Sequence, residues 1–311
     1  MRPLVVIGEC MAELSPTGEG DHRLGYAGDT FNAAWASRLL LPSEQPVRYV
    51  TAIGTDWISD EMFAFMAASG LDLSSVGRDP GRSIGLYAVK LVNGERIFSY
   101  WRKGSAATAL ADDPDRLGTA TRDAAMILFS GITLAILPPA GRSNLLLALE
   151  GARAAGATIA FDPNYRQRLW SNPAEARETF ASFMPVVDCA LPSFADEADL
   201  FGDASVAETA ARFRGLGARE VVVKDGPAAA FCVLDGLATA VPCCPVERPV
   251  DTTGAGDAFN GAFLAARLRG LPTPEAARIG HSVAAVAVQT RGALLPQDIT
   301  ERIEWSAWGT R

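Results

Sequence analysis

Short runs of β-branched and aliphatic residues recur along the chain and alternate with longer stretches in which apolar side chains return every three or four positions. The runs at 4–7, 47–53, 126–129, 158–161, 189–191 and 221–223 are predicted to be strands, and the stretches at 31–41, 61–68 and 142–155 to be helices. Strands that are apolar at every position must be covered on both faces. The pattern therefore predicts an α/β fold with a mostly parallel central sheet flanked by helices. Such sheets take their ligands beyond the carboxyl ends of the strands, so residues just after each run are the first candidates for chemistry. No internal repeat or low-complexity segment interrupts the alternation.

One region departs from it. Residues 85–92 and 95–102 read as two strands joined through Asn93-Gly94, a pair that tolerates the positive φ angles of a type I′ turn. A two-residue loop there sets Val92 opposite Glu95, hence Val89 opposite Phe98, Tyr87 opposite Tyr100 and Gly85 opposite Arg102. Tyr87, Val89, Phe98, Tyr100 and Arg102 then share one face. That face is either a packed sheet surface with Arg102 reaching for solvent, or a lid whose polar tips meet a ligand bearing hydroxyls and a negative charge.

Composition narrows the classes. With 311 residues, 49% hydrophobic and 21% charged, the chain can bury a full core. Its 28 basic and 36 acidic residues leave a net charge of −8 and no basic surface, so neither nucleic acid nor a membrane is an expected partner. The opening apolar run is too short for a signal segment and closes on Glu9, and no run approaches the ~18 residues of a spanning helix, so a soluble cytoplasmic protein is expected. Five cysteines, Cys10, Cys189, Cys232, Cys243 and Cys244, form no C-x-x-C pair and suggest neither a disulfide framework nor a zinc site. Cys243 and Cys244 are expected as buried or edge-strand thiols. Of the two histidines, His22 and His281, the second lies in the apolar helical stretch 279–288 and is expected to pack rather than react. Asp112-Asp113-Pro114-Asp115 lacks a glycine turn and reads as a solvated connection.

The common nucleotide signatures are missing. There is no Walker A loop, and the first strand leads into Gly8-Glu9-Cys10-Met11 rather than a G-x-G-x-x-G turn, which argues against hydride transfer. What remains is Asp251-Thr252-Thr253-Gly254-Ala255-Gly256-Asp257, a small-residue turn running into an apolar helix. Gly254 and Gly256 let backbone amides approach an anion, and the first-turn N–H groups with the helix dipole attract it. Asp257, in that first turn, reads two ways. It is an ordinary carboxylate complementing the dipole, worth about 0.3–1 kcal/mol, or a base beside a phosphate cradle that takes the proton of an attacking hydroxyl.

This turn, together with Gly28-Asp29-Thr30-Phe31-Asn32 opening a helix, resembles the signatures of the ribokinase-like sugar kinases, and the likeness extends over nearly the whole chain. Gly8-Glu9-Cys10-Met11, Tyr100-Trp101-Arg102, the segment 130–137 and Asn164-Tyr165-Arg166-Gln167-Arg168-Leu169-Trp170 are similar to those of members acting on 2-keto-3-deoxygluconate. The resemblance implies a ribokinase-like three-layer fold, residues 1–311 as a single kinase domain, and a small β-sheet lid formed by about 9–28 and 82–104. It implies ATP-dependent phosphorylation of the terminal hydroxyl of that sugar acid, with Asp257 as general base and the backbone of Gly254, Ala255 and Gly256 as the anion hole. Gly28, Asp29 and Asn32 would hold sugar hydroxyls, Tyr87 and Tyr100 would cover the sugar, and Arg102 and Arg166 would hold its carboxylate. The nucleotide would lie near Asn164, Arg166, Ser193, Lys224, Gly226, Gly254 and Gly256. Magnesium would accompany the triphosphate, with Asp196 acting on it through water, and potassium would sit on backbone oxygens near Asp251, Thr253 and Gly292. The chain departs from the family at Ala229, where a second glycine is common, and at Ser193 and Asp196, where relatives carry asparagine and glutamate.

The arginines bear on the substrate. A neutral sugar gives buried arginines nothing to pair with, whereas an acid accepts their bidentate forks, so an acid substrate is expected. Arg166, just past the run at 158–161, reads alternatively as a surface ion pair. A fructokinase or another neutral-sugar kinase would share the Gly254–Asp257 chemistry without needing the two arginines. A sugar-binding regulator without turnover is the reading from a different class, and the intact Asp257 speaks against it. An open lid edge would invite pairing with a second copy of the chain.

Overall fold

The computed structural model describes residues 1–18, 20–92 and 95–303. Its strands are Leu4–Ile7 (β1), Met11–Gly18 (β2), Asp21–Ala27 (β3), Val47–Val50 (β4), Ala52–Ile53 (β5), Gly77–Arg78 (β6), Gly85–Val92 (β7), Glu95–Trp101 (β8), Met126–Ser130 (β9), Thr158–Asp162 (β10), Cys189–Ala190 (β11), Glu220–Val223 (β12), Ala230–Leu234 (β13) and Leu237–Val241 (β14). Eight of them form the central sheet in the order β14-β13-β12-β11-β10-β9-β1-β4. The strands from β12 to β4 run parallel, and β13 and β14 extend the sheet antiparallel. The chain leaves β1 toward β4 on one side and returns to β9 on the other, which opens a crevice at the carboxyl ends of the strands.

The continuous apolar runs work as expected, because alternate residues enter different cores. Leu4, Val6, Leu128, Ala160 and Val222 join Phe31, Phe259, Phe263 and Ile279 of the Asp29–Leu40, Ala255–Leu268 and Thr273–Ala287 helices. Val5, Ile7, Ile127, Phe129, Ile159, Phe161, Val221 and Val223 pack on the other side with Leu145, Leu149, Phe180 and Phe213 of the Pro139–Ala154, Pro173–Phe183 and Val206–Gly215 helices. The result is three layers, helix on sheet on helix.

β3-β2-β7-β8 form a separate four-stranded sheet, the lid, whose strands fall within the segments 9–28 and 82–104. Tyr87 pairs with Tyr100, Val89 with Phe98 and Val92 with Glu95, the register expected of a two-residue loop. The Asn93-Gly94 turn itself lies outside the described residues. Arg102 follows the last residue of β8 yet still lies opposite Gly85, whose ideal Cβ position is 3.1 Å from Arg102 Cβ.

Three sequence expectations change. The run at 47–53 splits at Thr51, because its second part leaves the central sheet to pair with β6. Cys243 and Cys244 are half-buried and lie beyond β14 rather than in a strand, since Pro242 and Pro245 lack the N–H that a ladder needs. Asp113 caps the Pro114–Thr121 helix, accepting from the backbone N–H groups of Asp115 and Arg116, so the acidic cluster is a helix start. His281 packs as expected, buried edge-on to Phe259 and accepting the Ala230 N–H at 3.3 Å.

Candidate active site

The Ala255–Leu268 helix begins at Gly254, which has φ 76°, a left-handed conformation, and whose added Cβ would lie 2.4 Å from the Ala293 carbonyl oxygen. Only glycine satisfies both demands. The helix packs so closely on the Asp29–Leu40 helix that a Cβ on Gly261 would meet the Ala33 carbonyl at 2.3 Å, and Ser37 Oγ donates across the gap to the Gly261 carbonyl at 3.0 Å. This contact brings the two helix starts together. Asn32 Nδ2 consequently donates to Asp257 Oδ2 at 2.8 Å. Asn32 Oδ1 accepts the Gly28 N–H at 3.3 Å, and Asp29 accepts from Asn164 Nδ2 at 3.0 Å. Asn164 holds a left-handed φ of 34°, the kind of local strain that collects at functional sites.

Above these helix starts lies a cavity of about 580 Å³. It is walled by residues that follow the strands: Glu9 after β1, Ile132 after β9, Asp162 ending β10 with Asn164 and Arg166 beyond it, Ser193 and Asp196 after β11, and Lys224 after β12. Burial and then the negative charge of Asp29 push the Asp257 carboxyl up to about 7, against the Asn32 hydrogen bond that pulls it down. With Oδ2 occupied by Asn32, its other oxygen is left to accept a proton.

The cations of the cavity are mostly paired within the protein. Lys224 Nζ, buried under the helix entrance, lies 3.1 Å from Asp162 Oδ2 and 3.0 Å from Asn260 Oδ1, and Asn260 Nδ2 donates to the same Asp162 oxygen at 2.5 Å. Arg166 pairs with Asp196 at 3.2 Å. Burial opposes the charge on Arg166, but the carboxylates of Asp196, Asp257 and Asp162 outweigh it and hold the guanidinium charged. Arg102 pairs with Glu9, which also accepts from Ser105 Oγ at 2.5 Å and whose carboxyl is raised by burial. Contrary to expectation, Arg102 and Arg166 need no acid substrate for a partner, since each already pairs with a protein carboxylate. Arg102 Nε is nonetheless buried with no hydrogen-bond partner among the described residues.

The lid closes the cavity from above. Tyr87, Phe98 and Tyr100 line it, with Tyr87 and Tyr100 stacked at 5.7 Å. The Tyr87 hydroxyl donates to Glu13 rather than standing free. From β8, Arg96 reaches the turn before the helix entrance: it pairs with Asp251 Oδ2 at 2.5 Å and donates to Thr253 Oγ1 at 3.2 Å. Asp251 also accepts the N–H groups of Thr253, at 3.1 Å, and Gly292, at 2.7 Å.

The structure thus brings Gly28, Asp29, Asn32, Tyr87, Tyr100, Arg102, Asn164, Arg166, Ser193, Asp196, Lys224, Thr253, Gly254, Gly256 and Asp257 to one cavity. Four expected residues do not line it. Ala255 lies one step behind its neighbours, Gly226 turns away after β12 with φ 51°, and Asp251 and Gly292 bind each other behind the turn. Asp196, a hard oxygen donor on the cavity wall, fits a water-mediated role toward magnesium. The Asp251 carboxylate is already neutralised by Arg96, so only backbone oxygens there remain for potassium. Glu9 and Arg168, which the sequence named only within motifs, and Asp162, which it did not name, are wall residues to which it gave no role. The rule of looking past each strand would have reached Glu9 and Asp162. A more open depression of about 740 Å³ lies at the amino ends of the strands, but its Arg153–Asp188 and Arg267–Glu220 pairs, at 3.0 and 2.9 Å, satisfy each other and no glycine-lined helix entrance faces it.

A parallel sheet with a switch-point crevice, a glycine-lined helix start carrying a carboxylate, and a β lid over both define a phosphotransferase-type α/β protein for small ligands. The model of the pfkB family carbohydrate kinases matches residues 1–300, and the chain belongs to that family. It is a carbohydrate kinase with a ribokinase-like fold. The chain is similar to the 2-dehydro-3-deoxygluconokinase of Dickeya dadantii (strain 3937), 40% identical over 301 residues that span 94% of this chain and 96% of the relative. The enzyme of the same name from Escherichia coli (strain K12) is 37% identical over 304 residues, 96% and 98% of the two chains. Among solved structures, the PfkB protein from Polaromonas sp. JS666 superposes with a TM-score of 0.82 at 28% identity, covering 97% of this chain and 100% of that one.

Proposed function

We propose that this kinase phosphorylates the terminal hydroxyl of 2-keto-3-deoxygluconate, also written 2-dehydro-3-deoxygluconate, with ATP as donor. The observation that carries this reading is the Asp257 carboxylate, set at a glycine-lined helix start in a cavity walled by arginines. The names of the 40% and 37% identical relatives support the same substrate.

In this reading the sugar lies between the lid and the helix starts. Gly28, Asp29 and Asn32 meet its hydroxyls, Tyr87 and Tyr100 cover it, and Arg102 and Arg166 offer N–H groups to its carboxylate, the unpartnered Arg102 Nε among them. The triphosphate runs along the Asn164, Ser193 and Lys224 wall, with the Gly226 turn outside it, and ends at the amides of Gly254, Ala255 and Gly256. Asp257 takes the proton of the sugar hydroxyl as that oxygen attacks the γ-phosphorus in line, and the helix start stabilises the charge on the transferring group. Asp196, on the cavity wall, would hold magnesium through water, and the ion would supply charge neutralisation for the phosphates. Potassium would rest on the backbone near Asp251, Thr253 and Gly292. The segments 9–28 and 82–104 serve as one lid on a single kinase domain. The exposed Ile97 and Trp101 on its edge strand β8 suit contact with a second copy. Five free cysteines and the absence, among the described residues, of a helix able to cross a membrane fit a cytoplasmic setting.

A neutral ketose is the second reading, favoured by the internal pairing of Arg102 with Glu9 and of Arg166 with Asp196. ADP release measured over a panel of sugar acids and neutral sugars, with and without potassium, decides between them. The acid should exceed every neutral sugar in kcat/KM by about tenfold or more, the effect of a charge-assisted bidentate contact. A neutral sugar turned over as well as the acid would overturn the assignment.

A further inference from the structure

Among the described residues four cationic side chains line the cavity, and three are neutralised from within: Arg102 by Glu9, Arg166 by Asp196 and Lys224 by Asp162. Such pairs still offer N–H groups, but their fields largely cancel. A carboxylate brought to them also meets Glu9 or Asp196 as a like charge. The fourth is Arg168, in the short turn Gln167–Leu169 that follows β10. Among the described residues it makes no ion pair. Its guanidinium carbon instead lies over the Tyr100 ring, 3.8 Å from the centroid, and Tyr100 is stacked in turn on Tyr87.

We propose that Arg168 is the specificity-determining cation of the sugar site, the group whose uncompensated charge selects a carboxylate-bearing sugar over a neutral one. The proposal rests on the sugar-acid reading above and deepens it. A cation–π contact over a ring leaves N–H donors of the guanidinium unpaired and available to a planar carboxylate. The ring it rests over is one of the two that cover the sugar in this reading, so one contact between body and lid brings the charge to the sugar-binding face. Arg168 is exposed, whereas the Arg102 side chain is largely buried. Lysine could supply the charge but neither the plane nor the fork.

The test compares wild type with Arg168→Met and Arg168→Lys, each checked for unchanged thermal unfolding. Kinetics are measured with 2-keto-3-deoxygluconate, with fructose as the neutral ketose and with ATP. The fructose arm is read as kcat/KM, or as an inhibition constant where turnover is absent. Arg168→Met should raise the KM for the acid about 30-fold and change kcat by no more than about threefold, the loss expected for a charge-assisted pair. The ATP KM and the fructose arm should stay within about twofold of wild type, since neither involves a sugar carboxylate. Arg168→Lys should fall between. An unchanged acid KM, a parallel loss with fructose, or a rise in ATP KM in place of the acid KM would overturn the role of Arg168. Failure of the wild-type enzyme to turn over any sugar acid would instead overturn the substrate reading beneath it.

Discussion

Asp257 owes its reactivity to what surrounds it. Burial and the neighbouring charge of Asp29 raise its carboxyl to about 7, which makes it a better proton acceptor than an exposed aspartate while leaving it ionised just above neutrality. The sign follows directly. Below that value the group holds its proton and cannot accept another, so kcat/KM should fall about tenfold per pH unit on the acid side and level off above it. A pH profile measures this, and a flat rate from about pH 5 to 8 would contradict it. Because the native state binds this proton more tightly than the unfolded chain does, Asp257 also makes stability decline as pH rises from about 4 to 7. Asp257 was legible in the sequence because a small-residue turn entering a helix is a local signal. The pairing of Glu9 with Arg102, of Asp162 with Lys224 and of Arg168 with Tyr100 joins residues far apart in the chain, and no spacing rule points to it.

At the level of elements, the site depends on two helices meeting almost backbone to backbone. Gly261 sits on the Ala33 carbonyl, and this approach sets Asn32 against Asp257 a turn away. Gly261→Ala should therefore destabilise the protein by about 1–3 kcal/mol, the usual range for overpacking, and lower kcat by parting the Asn32–Asp257 contact. Chemical denaturation and turnover together check this, and a variant as stable and active as wild type would contradict it. Among the strands that the sequence revealed, β1, β9, β10 and β12 each hold an uninterrupted apolar run because both faces are covered. β14 escaped notice because it is an edge strand, exposed at four of its five positions, so burial imposes no pattern on it. The break at Thr51 was equally hidden, since both halves of that run are buried.

Across the whole molecule, body and lid are joined at the rim of the cavity by contacts of different kinds. Arg96 ties β8 to Asp251 and Thr253 in the turn before the helix entrance, Arg168 stacks on Tyr100, and Glu9 holds Arg102 at the foot of the lid. The lid is thereby connected to the turn before the helix entrance, so in the proposed reading closing the lid and ordering the anion hole would be coupled. In the proposed mechanism this arrangement serves one proton transfer beside one anion site. The most direct test is Asp257→Asn, assayed for turnover of 2-keto-3-deoxygluconate with ATP and, by calorimetry, for binding of the sugar acid. Loss of the base should cut kcat by about 10²-fold or more while sugar binding stays within a few-fold of wild type. A variant that turns over at a near-normal rate would contradict the account.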